Sequence, residues 1–143
     1  MSSSDIPPPS GPNPALCETI ASLDNLVVLR KNAYPGNHET FDFPALSRTH
    51  DASAVRAIAR ELCAMPDFPP GTQMCPLDLG ITYELTFSTP RTSFPALSAD
   101  IGGCEQIRGL GPRRQATTEF WNTLAAAIDV PQPYEQSLHG KLG

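Results

Sequence analysis

The chain has 143 residues, a formal net charge of −5 and 40% hydrophobic residues. That length sets a single domain with a core of its own, so disulfides would supplement the packing and not replace it. The acidic balance excludes the basic surface that nucleic acid or anionic lipid demands, and no apolar run is long enough for a transmembrane segment.

Residues 1–15 are rich in Ser and Pro with little to bury, and read as a flexible lead-in. They show neither a basic n-region nor an apolar h-region, so no signal peptide is expected there. Cys17 lacks the apolar segment that precedes a lipidated cysteine.

Residues 26–30 form a β-branched run and predict a strand. Tyr34-Pro35-Gly36-Asn37 predicts a turn. Residues 39–43 alternate polar and apolar, which predicts a second strand with Phe41 and Phe43 facing the core, paired with the first as a hairpin. Asp51 is a good N-cap for a helix in which Val55, Ile58, Ala59 and Leu62 share one face, and Pro66 stops it. A stiff Pro/Gly loop covers residues 67–71.

Ile81, Tyr83, Leu85 and Phe87 then alternate with Thr82, Glu84 and Thr86. This is the cleanest period-two pattern in the chain and predicts one buried sheet face. Residues 94–99 predict a weaker strand, placed at an edge because of Pro95. Residues 104–108 predict another short strand, and 109–112 a turn. Arg113-Arg114 is the one tight basic pair and reads as a solvated turn. Thr117 or Thr118 caps a last helix with Trp121, Leu124, Ala125 and Ile128 inward. Pro131 and Pro133 end it, and residues 131–143 read as a frayed tail. The expected fold is α+β: an antiparallel sheet in the order β-β-α-β-β-β-α, with two helices on one face, forming one domain over residues 16–130.

Four cysteines, Cys17, Cys63, Cys75 and Cys104, allow three full pairings, and none lies in a C-x-x-C arrangement that would point to zinc or redox chemistry. A hairpin built on residues 81–87 and 94–99 brings its outer ends together, so Cys75 and Cys104 can bond without a long excursion. Cys63, at the end of an apolar helix face, suits a buried free thiol as well as a bond to Cys17. Bonded cysteines imply a secreted or cell-envelope location; free thiols imply the cytoplasm.

Catalytic patterns are sparse. His38, between Asn37 and Glu39 and close to Asp42, is the main polar cluster. It fits either a small hydrolase site or turn residues bonded to their own backbone. His50 beside Asp51 fits helix capping, and His139 falls in the tail. Three histidines without paired spacing make no metal site. There is no G-x-S-x-G, and Gly109-Leu110-Gly111 lacks the strand-to-helix setting of a phosphate loop. Asp67 and Asp78 flank the stiff loop and fit paired carboxylates or exposed turns. No cofactor is expected. The leading expectation is a non-enzymatic binding module.

Two resemblances bear on this. Arg60-Glu61-Leu62-Cys63-Ala64-Met65-Pro66, Gly71, Cys75-Pro76, the run from Asp78 through Phe87, Gly103-Cys104, Pro35-Gly36-Asn37-His38-Glu39-Thr40-Phe41 and Phe120-Trp121 together resemble a group of uncharacterised actinobacterial proteins. The likeness covers about residues 26–128 and implies an exported life, since many such proteins carry signal peptides or lipoprotein anchors. Met74-Cys75-Pro76-Leu77 is similar to the reactive loop of bacterial subtilisin inhibitors. That likeness implies a serine protease as partner, Leu77 as the specificity residue, Asp78 after the scissile bond, and a loop of Met74, Cys75, Pro76, Leu77 and Asp78 held rigid for binding. The chain departs from that pattern in having no cysteine in its second strand and in its C-terminal helix.

Overall fold

The computed structural model describes residues 14–32, 39–71, 75 and 80–142. A short helix α1 (Pro14–Glu18) and a single 3-10 turn lead into strand β1 (Asn25–Asn32). Then follow β2 (Glu39–Thr40), β3 (Leu46–Thr49), helix α2 (Ala52–Ala64), strands β4 (Ile81–Ser88), β5 (Leu97–Asp100), β6 (Gln106–Arg108) and β7 (Arg114–Gln115), helices α3 (Thr118–Ala127) and α4 (Tyr134–His139), and β8 (Lys141–Leu142). Six strands make one antiparallel sheet in the order β3-β1-β4-β5-β6-β7. The fold is α+β, as the element pattern predicts.

β4 is the centre. Its burial alternates strictly, with Ile81, Tyr83, Leu85 and Phe87 inward. Register carries that face across the sheet: Leu26 lies opposite Phe87 and Val28 opposite Leu85, while Leu97 and Ala99 of β5 face Leu85 and Tyr83. Helix α2 brings Val55, Ile58, Ala59 and Leu62 to this face, and α3 brings Phe120, Trp121, Leu124 and Ala125. The Tyr83 and Trp121 rings meet edge to face at 6.5 Å, so α3 sits on the middle of β4. The outer face of β4 is polar and half-exposed, as an antiparallel sheet allows.

Both long helices start where side chains accept orphan N–H groups. The Asp51 carboxylate takes those of Ser53 and Ala54, and the Thr117 hydroxyl takes that of Phe120. The far end of α2 is capped from a distance. The Arg114 guanidinium donates to the carbonyls of Leu62 (3.2 Å) and Cys63 (2.8 Å). Arg114 is therefore a half-buried cap on strand β7 and not part of a solvated turn; Arg113 beside it is exposed.

Three further expectations are corrected. First, β1 does not pair with residues 39–43; it pairs with β3, at residues 46–49. Pro44 has no N–H to give a ladder, and pairing begins just past it, with Arg30 N–H donating to Ala45 O at 2.7 Å. Phe43 still reaches the core, while Phe41 packs against its margin, and Glu39–Thr40 pairs instead with β8. Second, β5 is not an edge strand. It starts at Leu97, beyond Pro95, so the proline stays out of the ladder and the strand sits between β4 and β6. Third, the described part of the expected frayed tail, residues 131–142, holds helix α4 and strand β8. Helix α4 buries Leu138 completely, and the Tyr83 hydroxyl donates to the Leu138 carbonyl at 2.6 Å. The predicted turn at residues 34–37 lies outside the described residues.

Candidate functional site

Cys75 is bonded to Cys104, with Cα atoms 4.9 Å apart, and Cys17 to Cys63, with Cα atoms 5.8 Å apart. These bonds fit an oxidising environment. The Cys75–Cys104 bond spans the open end of the β4–β5 hairpin, because Cys75 precedes β4 and Cys104 follows β5.

The anchor at Cys104 is built outward from the core. Gly103 (φ 63°) and Glu105 (φ 54°) turn the chain sharply between β5 and β6. The Gln115 side-chain amide donates to Cys104 O (2.9 Å) and Glu105 O (3.1 Å). Ala116 N–H donates to Glu105 O at 2.8 Å. The buried Trp121 indole donates to the Glu105 carboxylate at 2.7 Å. Burial raises the Glu105 pKa; the Trp121 bond opposes that rise, the neighbouring Glu135 adds to it, and His139 opposes it. Cys104 thus belongs to the rigid frame, while Cys75 is exposed. Of the sequence-predicted loop residues, Met74, Pro76, Leu77 and Asp78 lie outside the described residues.

So does His38, the centre of the hydrolase reading. Asp67 is exposed and makes a backbone bridge with Arg114; its suggested partner Asp78 lies outside the described residues. His50 is exposed, and Asp51 beside it caps α2. Among the described residues no group of three His, Cys, Asp or Glu side chains is placed to hold a metal ion. No helix among them is long and apolar enough to cross a membrane.

A second region was not foreseen from the sequence. Arg30, on the same sheet face as Tyr83, lays its guanidinium over the Phe41 ring at 3.7 Å and near Phe43 at 4.8 Å, and donates to Phe43 O at 3.1 Å. This pins residues 41–43 at the sheet's end. Asp42 there faces α4 across a cleft of about 490 Å³ shared with Gln136, Ser137 and His139. One signal in the sequence marks α4: Tyr134 and Leu138 stand four apart, on one side of a helical turn.

Comparison of the chain with protein-family models, with curated proteins and with solved structures finds no match.

Proposed function

We propose that the protein is a non-enzymatic binding module of a secreted or cell-envelope setting, and that it engages a protein partner through the chain around Cys75. One observation carries this reading. Cys75 is exposed yet bonded to a turn that Gln115 and Trp121 fasten to the core. A stretch fastened in this way has less freedom to lose when a partner orders it, so more of the contact energy appears as affinity. The two bonds support that compartment, since disulfides persist where thiols are not kept reduced.

The sharper form is a serine protease inhibitor of the subtilisin-inhibitor type, with Leu77 as specificity residue. It is favoured by the bond from the Cys-Pro pair to a cysteine 29 positions on, across the hairpin. Titrating a panel of subtilisin-like proteases decides it. The wild type is expected to inhibit stoichiometrically, and Leu77→Gly to abolish inhibition while the fold persists. Absence of inhibition across the panel removes the inhibitor form. The broader reading is tested by intact mass of the native protein without reductant. Two hydrogens should be missing for each bond, and four free thiols would overturn the compartment.

A further inference from the structure

Strand β3 is an edge of the main sheet, and its backbone groups alternate in direction. Arg30 N–H donates to Ala45 O, so the bonded rungs between β1 and β3 are Arg30–Ala45, Val28–Ser47 and Leu26–Thr49, every second residue. The residues of β1 between these rungs turn their backbone groups to β4. Leu46 and Arg48 therefore point their N–H and C=O groups away from the sheet, and among the described residues no backbone group takes them.

The side chains beside that edge are apolar. Register sets Leu46 opposite Leu29 and Arg48 opposite Val27, on the sheet face turned away from the α2 and α3 core. Val27 and Leu29 are half-buried there. Leu46 is 48% exposed, the one large apolar side chain left so open among the described residues. An open strand edge flanked by apolar surface is a template for another strand.

We propose that β3 pairs antiparallel with β3 of a second copy of this chain, about a two-fold axis at Ser47, joining the two sheets into one. Leu46 of each copy then lies opposite Arg48 of the other, and the outward N–H and C=O groups of these residues exchange bonds on both sides of the axis. The aliphatic stem of Arg48 covers Leu46, and the two Leu46 side chains become diagonal neighbours. The sequence selects this register. An axis at Arg48 would set two guanidinium groups opposite each other, and an axis at Leu46 would set Arg48 against Pro44, which has no N–H. Charge favours a second copy, since each Arg48 enters the field of a chain of net charge −5. The contact is isologous, so it consumes both edges and closes at a dimer. A strand of four residues makes it a small interface and a weak, reversible one. This inference does not depend on the role given to the Cys75 segment.

Sedimentation velocity of the full chain, run from about 10 µM to about 1 mM to reach a small interface, is expected to show a reversible monomer–dimer equilibrium. Leu46→Asp should weaken the dimer roughly tenfold or more. Its far-UV circular dichroism should be unchanged, since Leu46 lies outside the core. The register is read by oxidative cross-linking of single variants, with the linked position identified by mass. Ser47→Cys should give a dimer linked at position 47, because Cα atoms facing each other across the axis lie about 4.5 Å apart, within disulfide range. Arg48→Cys should link far less, because its two copies are diagonal to each other. A monomer throughout the concentration range, a dimer indifferent to Leu46→Asp, or linkage of Arg48→Cys equal to that of Ser47→Cys would each overturn the proposal.

Discussion

The two disulfides do different physical work. Cys17–Cys63 joins a short N-terminal helix to the end of α2, beside the fully buried Leu16 and Leu62. Both its ends adjoin the core, and a helix of five residues is too short to be stable by itself. Cys75–Cys104 joins an exposed residue to a turn that is already fixed by four hydrogen bonds. The first bond recruits an element into the fold. The second borrows the fold's rigidity and gives it to a surface segment. A disulfide's meaning thus lies in what each end is attached to.

Breaking the bonds in turn tests that contrast. With 46 residues of separation, Cys17→Ser/Cys63→Ser is expected to lose about 4 kcal/mol in denaturant unfolding on the chain-entropy account. It should leave any partner binding intact at temperatures where the fold persists. With 29 residues of separation, Cys75→Ser/Cys104→Ser is expected to lose slightly less, about 3.5 kcal/mol. Here partner binding should fall along with stability. If the first variant loses binding and the second keeps it, the division of labour is reversed.

Smaller changes sharpen the same comparison by loosening each frame without touching sulfur. Tyr83→Phe removes the donor to Leu138 O and should cost about 1 kcal/mol, with faster amide exchange in α4 and little change near Cys104. The smallest effect is electrostatic and lies at the Cys104 turn. Glu105 has a raised pKa in the folded state, chiefly from burial, so the folded state favours the protonated acid. Its contribution to stability is therefore fully present below the ordinary carboxylate pKa and is lost as pH rises through the raised folded value. Glu105→Gln keeps an acceptor for the Trp121 indole and removes the charge. It should match or exceed wild-type stability at neutral pH, and that advantage should vanish in acid, as read from unfolding midpoints across pH.

Much of the frame was legible because it is local. The alternation at Ile81 to Phe87 is a property of consecutive residues, and so is the helix face of Val55, Ile58, Ala59 and Leu62 with its Asp51 cap. The same hairpin made a Cys75–Cys104 bond one open pairing that needed no long excursion, and the structure forms it. What failed were judgements about partners far along the chain. Arg114 looked like a solvated basic residue until the fold put it 2.8 Å from Cys63 O. Leu46–Thr49 is only four residues long, with Leu46 exposed, and carries no strong alternation to announce a strand. Asp42 and His139 are 97 positions apart, and no spacing rule links them.

By itself, then, the sequence determined the α+β class, the central strand and both long helices, because periodicity and capping act over a few residues. The tertiary structure alone decided that β5 is interior, that α4 is docked under Tyr83, that Arg114 caps α2 and that Asp42 faces α4 across a cleft. Each of these depends on which distant backbone groups find each other once the core has closed, and a burial pattern read along one chain does not encode that choice.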